Sequence, residues 1–381
     1  MWTTDETEFL SQRKAWNRLI ADDQERRVFL RHEWFDAAWQ WRRLDGYSLR
    51  VASFFRDREL IGICPLVLHR SSLGGLPVRK LEFLSVPDTQ FCDVICARED
   101  GGEVREALVI SLKGLAKDWD VLDLRFVTEG SVVAGLAKKE HSTAGLGCDL
   151  VAWDTNPCVD LTNSWAEFYG QRTRGLKKAN NLSANRLRKT GELEIEWLKG
   201  GQHVPVCVDT LLEEFVALSA RSWKTQTALT LNNPKPGAFI RCLTRHAVEQ
   251  GWLSMWALRL DGNLVAMEYQ LIGDGEVFAL RADFDKSLES ISPGSYLSWQ
   301  LLQRLFSSGL KTYWMGPGAN PYKSRWTDQA ETLYRIEAYS PALRGRLHRL
   351  NRRLIRPAAR RVLAAIRQNR HGQSEQTEGG T

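Results

Sequence analysis

The chain has 381 residues, of which 43% are hydrophobic and 26% are charged, and its formal net charge is +6. This length and composition are typical of a folded protein of two or three domains, and they exclude a chain that is disordered throughout. No apolar run approaches the roughly 20 residues that span a bilayer, and the acidic N-terminal residues lack an apolar signal core. We therefore expect a cytoplasmic protein, peripheral at the inner membrane face if its basic C-terminal tail binds lipid.

The first half of the chain predicts two helices followed by an antiparallel meander. The helices are predicted over 6–21 and 31–43, the strands over 48–55, 60–68 and 78–84, and a helix over 104–115 with a strand over 120–126 completes the unit. Runs of alternating apolar residues predict these strands, and a spacing of three to four residues predicts the helices.

The same order then returns after residue 156. A helix is predicted over 164–190, a strand over 193–198, helices over 208–222 and 238–250, and strands over 253–260, 264–272, 277–284, 312–315 and 331–339. The repeated order predicts an α+β protein with two units, 1–155 and 156–340, each a mostly antiparallel mixed sheet flanked by helices. A basic helical segment over 341–370 and a disordered tail over 371–381 follow.

The seven cysteines are scattered and odd in number. Cys92 and Cys96 are too far apart for a C-x-x-C pair, and no histidine lies near them in sequence. We therefore expect reduced core cysteines and no metal.

The turn before the helix that carries Leu297 to Leu305 is suited to hold an anion. Ser292 is predicted to cap that helix, Pro293 suits its first position, and Gly294 allows a ligand to come close. Free backbone N–H groups and the positive end of the helix dipole would then face a phosphorylated ligand.

Four segments, taken together, carry a resemblance to a known superfamily. They are Leu218-Ser219-Ala220-Arg221-Ser222-Trp223, Leu260-Asp261-Gly262-Asn263-Leu264-Val265-Ala266, Phe284-Asp285 with Ser292-Pro293-Gly294-Ser295, and Gly316-Pro317-Gly318 followed by Tyr322-Lys323 and Trp326. This set resembles the GNAT acyltransferases, and more closely the GNAT-like domain of CelD-type proteins associated with bacterial polysaccharide synthesis. The last segment is also similar to a signature of Fem-type aminoacyltransferases, which are paired GNAT-like domains.

The resemblance implies an acyl thioester held where two strands separate, with its pyrophosphate on the turn before the next helix. Residues implied to bind this donor are Leu280, Arg281, Ala282, Ser292, Pro293, Gly294, Ser295 and Tyr296. The usual Gln/Arg-x-x-Gly-x-Gly/Ala loop is matched here only by Gly294, since Ile291 and Tyr296 stand at two of its other positions. Acyl-CoA is therefore the first expectation for the co-substrate, and a carrier-protein thioester or another activated acyl group is the alternative.

Direct acyl transfer needs oxyanion donors, a base and a positioned acceptor. Backbone N–H groups around Leu280, Arg281 and Ala282 would be the donors, and Asp283, Asp285 and Glu268 are three candidate bases among which the sequence does not choose. Asp285 is better suited to brace the loop that leads to Ser292. The resemblance implies further roles for Tyr322 as a proton donor to the leaving thiolate, for Lys323 as a partner of a phosphate or carboxylate, and for Arg221 and Trp223 at the acceptor site.

Two basic clusters suggest anionic partners. The first lies on the predicted helix over 164–190, which has no acidic residue from Gln171 to Thr190, and the second is an arginine-rich run from Leu343 to Arg370 that contains no carboxylate. The second cluster interleaves arginine with leucine, valine and isoleucine, a pattern typical of attachment to anionic lipid. Nucleic acid is the less favoured partner because no stacking or recognition-helix motif accompanies the arginines.

These observations predict an acyltransferase that moves an acyl group from a thioester to an amine or hydroxyl of a sugar, polysaccharide or lipid-linked precursor. Two alternatives remain at this stage. One is a GNAT-like module that binds but does not catalyse, within a polysaccharide assembly, and the other is an aminoacyl-tRNA-dependent ligase.

Overall fold

The structure, a computed structural model, describes residues 1–20, 27–73, 75–137, 146–200 and 205–351. The first half contains three short helices, five strands and a longer helix, which precede strand β6. In chain order these are β1 (Trp2–Thr3), α1 (Glu6–Ser11), α2 (Arg13–Arg18), α3 (His32–Arg42), β2 (Ser48–Arg56), β3 (Glu59–Leu73), β4 (Leu76–Phe83), β5 (Ile95–Cys96), α4 (Gly101–Gly114) and β6 (Val121–Val127).

The second half begins with a long strand and ends with a short basic helix. Its elements are β7 (Cys148–Asp160), α5 (Trp165–Gly170), α6 (Arg174–Thr190), β8 (Leu193–Lys199), α7 (Pro205–Ser219), α8 (Pro234–Glu249), β9 (Leu253–Leu260), β10 (Asn263–Gly273), β11 (Glu276–Phe284), α9 (Pro293–Leu305), β12 (Thr312–Trp314), α10 (Pro321–Ser324), β13 (Ala330–Tyr339) and α11 (Leu343–Leu350).

The strands form one continuous mixed sheet in the order β1-β2-β3-β4-β6-β13-β7-β12-β11-β10-β9-β8, with β5 beside β3. Among the described strands only β4 with β6 and β11 with β12 pair in parallel. The predicted α+β class with a mostly antiparallel mixed sheet is confirmed. Because the late strand β13 lies between β6 and β7, the proposed division at residue 155 is crossed by the sheet and stays a prediction.

Apolar residues cover both faces of the second-half strands. On one face, α7, α8 and α3 pack over Met267, Tyr269 and Phe278, in a core that continues into the first half. On the other face, α6 and α9 pack over a second core that includes Trp256 and Leu258. The alternation of side chains along each strand explains why consecutive residues of β10 and β11 enter different cores. We call these sides the α7 face and the α9 face.

Two helices that were predicted as single long segments are wrong in that form. The helix predicted over 6–21 is divided at Gln12 into α1 and α2, and the helix predicted over 164–190 is divided into α5 and α6. In the second case Thr173 is a new N-cap, whose hydroxyl accepts the Leu176 N–H at 3.2 Å. Such a cap satisfies a free amide of the helix end and stabilises the break.

The C-terminal predictions are only partly covered by the described residues. Of the basic segment predicted over 341–370, the structure describes α11 and Asn351, and the tail predicted over 371–381 lies outside the described residues. Within the described ranges no helix is both long and apolar enough to cross a membrane.

Candidate functional site

Strands β11 and β12 separate after a short parallel contact. Glu276–Phe278 pairs with Thr312–Trp314, and β11 then continues to Phe284 beside β10 alone. Leu280 is an extra residue on β11, because Tyr269 pairs with Arg281 while Gln270 pairs with Ala279. Such a bulge increases the local bend of a strand. From Ala279 onward, no described strand pairs with the outer edge of β11.

Two side chains bond carbonyl groups along this edge. Gln90, from the loop after β4, donates its Nε2 to Ala279 O at 2.9 Å and accepts Asn156 Nδ2 at 3.0 Å. Lys224 donates its Nζ to Ala282 O at 2.9 Å. Neither residue was predicted, although Lys224 directly follows the segment that carried the resemblance.

Asp283 lies next to Lys224 on the α7 face. Its side chain is buried, with 3% exposure for the residue, and it accepts the hydroxyl of Ser219 at 2.9 Å. Lys224 Nζ lies 3.0 Å from the other carboxylate oxygen. Ser219 is the last residue of α7, and its hydroxyl also accepts the Leu231 N–H at 3.0 Å. A buried carboxylate and a cation therefore lie together where the edge of β11 is unpaired.

The prediction for Arg281 concerned its backbone N–H, whereas the structure shows a structural role for its side chain. Its side chain is buried and contacts Asp88 twice, with Nε to Oδ1 at 2.5 Å and NH2 to Oδ2 at 2.6 Å. It also donates to Leu229 O at 2.8 Å. Burial raises the pKa of Asp88, although Arg281 opposes this shift. This ion pair joins the loop after β4 to β11 and so connects the two halves of the chain.

Asp285 has the bracing geometry that was expected. Its carboxylate accepts the Ser287 N–H at 3.0 Å at the start of a 3-10 helix over Lys286–Ile291, and it pairs with Arg221 Nε at 2.7 Å. Burial would raise the pKa of Asp285, but hydrogen bonds from Ser287 and Arg221 outweigh burial and lower it. A carboxylate stabilised in this way is a weak base. Trp223 lies nearby in sequence and is 51% exposed.

The predicted capping role of Ser292 is wrong. Ser292 ends the 3-10 helix in the left-handed region, with φ 56° and ψ 55°, and no amide of α9 bonds to its side chain. An N-cap needs an extended backbone to direct its oxygen at those amides. The Ser292 hydroxyl donates instead to Glu289 O at 3.3 Å.

The first turn of α9 is partly covered by its neighbours. Pro293 occupies the first turn as predicted, Ser295 is half-buried, and Tyr296 is buried. Ser183 of α6 donates to Ile291 O at 2.9 Å, and Ser292 O accepts the same hydroxyl at 3.0 Å. Because these bonds engage carbonyl groups, they leave the positive end of the α9 dipole directed at this turn.

Glu268 lies on the α9 face, away from Asp283. It is buried and accepts the hydroxyl of Tyr313 at 2.6 Å and the amide of Gln270 at 2.7 Å. Burial raises the pKa of Glu268, and the two hydrogen bonds oppose that shift. Because Glu268 is on β10 and Tyr313 is on β12, this bond joins the strands on either side of β11.

Tyr322 and Lys323 lie beyond β12 on the same side. Tyr322 donates its hydroxyl to Ser298 of α9, and burial raises its pKa. Lys323 directs its Nζ at three carbonyls of the preceding loop, Gly316 at 2.6 Å and Pro317 and Gly318 at 3.0 Å. Burial lowers the pKa of Lys323 to about 8. In this arrangement the ammonium stabilises the loop, with its three donors already used.

The predicted site residues are therefore in two groups on opposite faces of the sheet. Asp283, Asp285, Arg221 and Trp223 surround the end of β11 on the α7 face, together with Ser219 and Lys224. Glu268 and Tyr322 are on the α9 face, with the first turn of α9, and Lys323 follows Tyr322 and bonds the loop after β12.

One group of side chains within the described ranges has a spacing that could hold a metal ion. Asp36, Cys242 and His246 bring their ligand atoms within 4.8 Å of one another, between α3 and α8. Asp36 already bonds His246 Nε2 at 2.8 Å, and burial raises the pKa of the Cys242 thiol to about 12. Because a metal needs the thiolate, this group as it stands is a polar contact between two helices.

Comparison with known proteins identifies the class. Residues 177–324 match the family model of the acetyltransferase (GNAT) domain. These residues include the strands that separate, the turn before α9 and Lys323. The chain therefore contains a GNAT domain, and the protein is an acyltransferase. No curated protein matches it at a significant level.

Solved structures agree on the fold over most of the chain. The C-terminal domain of a protein described as a lysylphosphatidylglycerol synthetase, from Agrobacterium fabrum, has a TM-score of 0.53 at 12% identity, with 89% of this chain and 94% of that one covered. A conserved protein of unknown function from Bacteroides thetaiotaomicron has a TM-score of 0.52 at 11% identity, with 89% and 100% covered. FemX matches with a TM-score of 0.49 at 11% identity, with 84% and 92% covered. At such identities the first two likenesses show a shared fold alone.

Proposed function

We propose that the protein transfers an acyl group directly from a thioester to an amine or hydroxyl of a sugar, polysaccharide or lipid-linked precursor. The observation that carries this proposal is the separation of β11 from β12, with Asp283 and Lys224 at the opened edge. A gap in a sheet lets two substrates approach one reaction centre from opposite faces. The donor would lie on the α9 face and the acceptor on the α7 face.

The first turn of α9 supports an anionic donor such as acyl-CoA or the phosphopantetheine arm of a carrier protein. Gly294 and Ser295 follow Pro293 in the first turn of this helix, and the helix dipole favours negative charge there. A Cβ built at Gly294 would lie 3.1 Å from the ring of Phe284, so the backbone here has little room for a side chain. This close packing against β11 explains the glycine, and the case for an anionic donor at this turn rests on the helix dipole.

Proton transfer would involve Asp283 rather than Asp285 or Glu268. The acceptor nitrogen or oxygen attacks the thioester carbon, its proton passes to Asp283, and the C–S bond breaks to release a thiolate. Asp285 braces the loop through Ser287 and Arg221, and Glu268 is bonded to Tyr313 on the α9 face. Asp283 is the carboxylate beside the unpaired edge of β11. Lys224 stands beside both Asp283 and the edge, where its charge can stabilise the developing oxyanion.

Tyr322 is a poor source for the proton that the thiolate takes up. An ordinary thiol has a pKa of about 8.5, and burial raises the pKa of Tyr322 above its usual value. The phenol therefore holds its proton more tightly than the departing sulfur would. We propose that the thiolate is protonated from solvent and that Tyr322 acts by positioning α9 through Ser298.

Thiol release tests this proposal directly. Acetyl-CoA, a long-chain acyl-CoA and an acyl carrier protein are each incubated with a panel of amino sugars and hydroxylated precursors, and the free thiol is measured against time. We expect acceptor-dependent thiol release with at least one donor, and loss of that release in Asp283→Asn. Transfer from a charged tRNA without use of any thioester would assign the protein to the aminoacyl ligases instead.

A second candidate function is a GNAT-like module that binds without catalysis. It is favoured by the hydrogen bonds of Gln90 and Lys224, which occupy two carbonyls on the edge where a donor would lie. Calorimetric titration with CoA separates the two functions. If neither heat of binding nor thiol release is observed with any donor, the non-catalytic module is favoured.

A further inference from the structure

We propose that α11 docks the protein on an anionic lipid bilayer. The surface consists of three leucines of α11 and the arginines that flank them: Leu343, Leu347, Leu350, Arg344, Arg346 and Arg349. This proposal is independent of acyl transfer, since it concerns a helix that contributes no residue to the separated strands. We call this set the α11 surface.

The leucines point away from the body of the protein. Gly345 and His348 are the buried residues of α11, whereas Leu343, Leu347 and Leu350 are 74%, 52% and 50% exposed. At about 100° per residue the three leucines lie within a sector of roughly 60°, opposite Gly345 and His348. Scattered exposed leucines are ordinary, but three in one outward stripe indicate a contact surface.

Short contacts fix this orientation. A Cβ built at Gly345 would lie 2.2 Å from Ser340 O, so the helix rests closely on the preceding turn. Arg344 reaches the first half, with Nε 3.6 Å from a carboxylate oxygen of Asp120 and NH2 3.4 Å from Pro77 O. Rotation of α11 to bury its leucines would break these contacts.

The neighbouring hairpin adds another exposed leucine. Leu76, which precedes Pro77 at the start of β4, is 46% exposed. Because Arg344 bonds Pro77 O, this leucine lies beside the N-terminal end of α11. A bilayer can accept leucines from both elements, since its interface is a plane and not a shaped pocket.

The charges favour lipid over a second copy of the chain. Arg344, Arg346 and Arg349 have no acidic residue between them, and the sequence from 343 to 370 contains none. Two α11 surfaces facing each other would bring these arginines together, which is repulsive, whereas anionic headgroups attract them. A nucleic acid would use the arginines but leave the leucines in water.

Vesicle binding by the full chain tests the proposal. The probes are vesicles of phosphatidylcholine and vesicles that contain equal parts of phosphatidylcholine and phosphatidylglycerol, and cosedimentation gives the partition coefficient. The variant is Leu343→Gln with Leu347→Gln and Leu350→Gln, because glutamine keeps helix propensity. The matched control is Ile110→Gln, which alters a 68% exposed apolar residue on α4.

We expect the parent chain and the control to bind anionic vesicles, and the triple variant to lose at least about tenfold in partition coefficient. Arg346→Gln should weaken binding roughly fivefold, and neutral vesicles should bind far less than anionic ones. Equal binding by the triple variant and the parent would overturn the proposal and assign lipid contact to another segment. Absence of binding by the parent, or loss of self-association in the triple variant without a change in vesicle binding, would overturn it as well.

Discussion

The sheet contains two pairs of parallel strands that separate, one in each half of the chain, and the spaces beside them are filled differently. In the first half β4 pairs with β6 over Lys80 to Glu82, and in the second half β11 pairs with β12 over Glu276 to Phe278. After β4 the chain stays beside β6, where the Cys92 N–H bonds Phe126 O at 2.9 Å. After β11 the chain leaves through the 3-10 helix into α9, and the edge is bonded by the side chains of Gln90 and Lys224.

The first half of the chain also supplies side chains that bond the second half. The loop after β4 closes its own half and also supplies Gln90 and Asp88 to the edge of β11. At the first opening the carboxylate of Asp123 contacts three cations, Lys80, Arg125 and Arg335. The second half leaves Asp283 and Lys224 beside an unpaired edge. This difference is why we propose the second opening, and not the first, as the place for substrates.

The largest expected effect is on catalysis at the second opening. Asp283→Asn keeps the shape of the side chain and removes the proton acceptor, so kcat should fall by about two to four orders of magnitude. The measurement is thiol release over a range of pH, with circular dichroism to show that the fold is kept. Loss of the acidic limb of the pH–rate profile would distinguish a base from a structural carboxylate.

Glu268→Gln is the matched control for that experiment. It makes the same change on the α9 face, where the side chain is bonded to Tyr313 and Gln270. We expect a much smaller effect on kcat than in Asp283→Asn. The opposite ranking would move the base to the α9 face and contradict the assignment of Asp283.

A large effect on stability is expected from the ion pair that joins the halves. Arg281→Met leaves Asp88 buried without its cation, which should lower the free energy of unfolding by about 3–5 kcal/mol. The measurement is chemical denaturation at pH 7. Arg281→Met with Asp88→Leu removes both charges and should recover much of the loss. If the double variant is no more stable than the single one, the pair is not what makes Arg281 important.

Donor binding tests the role assigned to the turn before α9. Gly294→Asp adds a carboxylate to the first turn of α9, where its charge would repel a donor phosphate, and we expect donor affinity to fall on the order of 100-fold. Gly294→Ala is the control, since its methyl group meets Phe284 at the same 3.1 Å without adding charge. Equal losses in the two variants would show that crowding alone is responsible. Unchanged affinity in Gly294→Asp would refute the assignment of this turn.

The strand and helix pattern of this fold could be predicted from the sequence because it depends on local periodicity. Strands β9, β10 and β11 were predicted to within a residue or two, and the separation of β11 from its neighbour followed from the resemblance. The insertion of β13 between β6 and β7 could not be predicted, since it depends on contacts far apart in sequence. No local pattern encodes which strands become neighbours.

The sequence could indicate site residues only where they lie within or next to a recognisable motif. Asp283 and Asp285 were found as carboxylates near the strand end, but the sequence could not show that Ser287 and Arg221 hold one of them in its charged form. Gln90 was missed because it is 189 residues from the carbonyl that it bonds. Lys224 is different, since a cation next to Trp223 in the resemblance segment was a signal that could have been used.

The smallest expected effect compares the two lysines at the openings. Lys80 contacts carboxylates, whereas Lys323 bonds only carbonyls, and burial lowers the pKa of Lys323 to about 8. The unfolded chain therefore binds more protons between about pH 8 and the ordinary lysine value near 10.4, so stability should rise with pH there, by at most about 1.4 kcal/mol per unit. Chemical denaturation across this range measures the slope. Lys323→Met and Lys323→Arg should both remove it, because neither side chain gives up a proton, while only Lys323→Arg keeps the charge. A slope that is the same in the parent and both variants would mean that the three carbonyls keep Lys323 protonated in the folded protein despite its burial. Lys323 would then stay charged over this pH range, as a lysine does beside carboxylates.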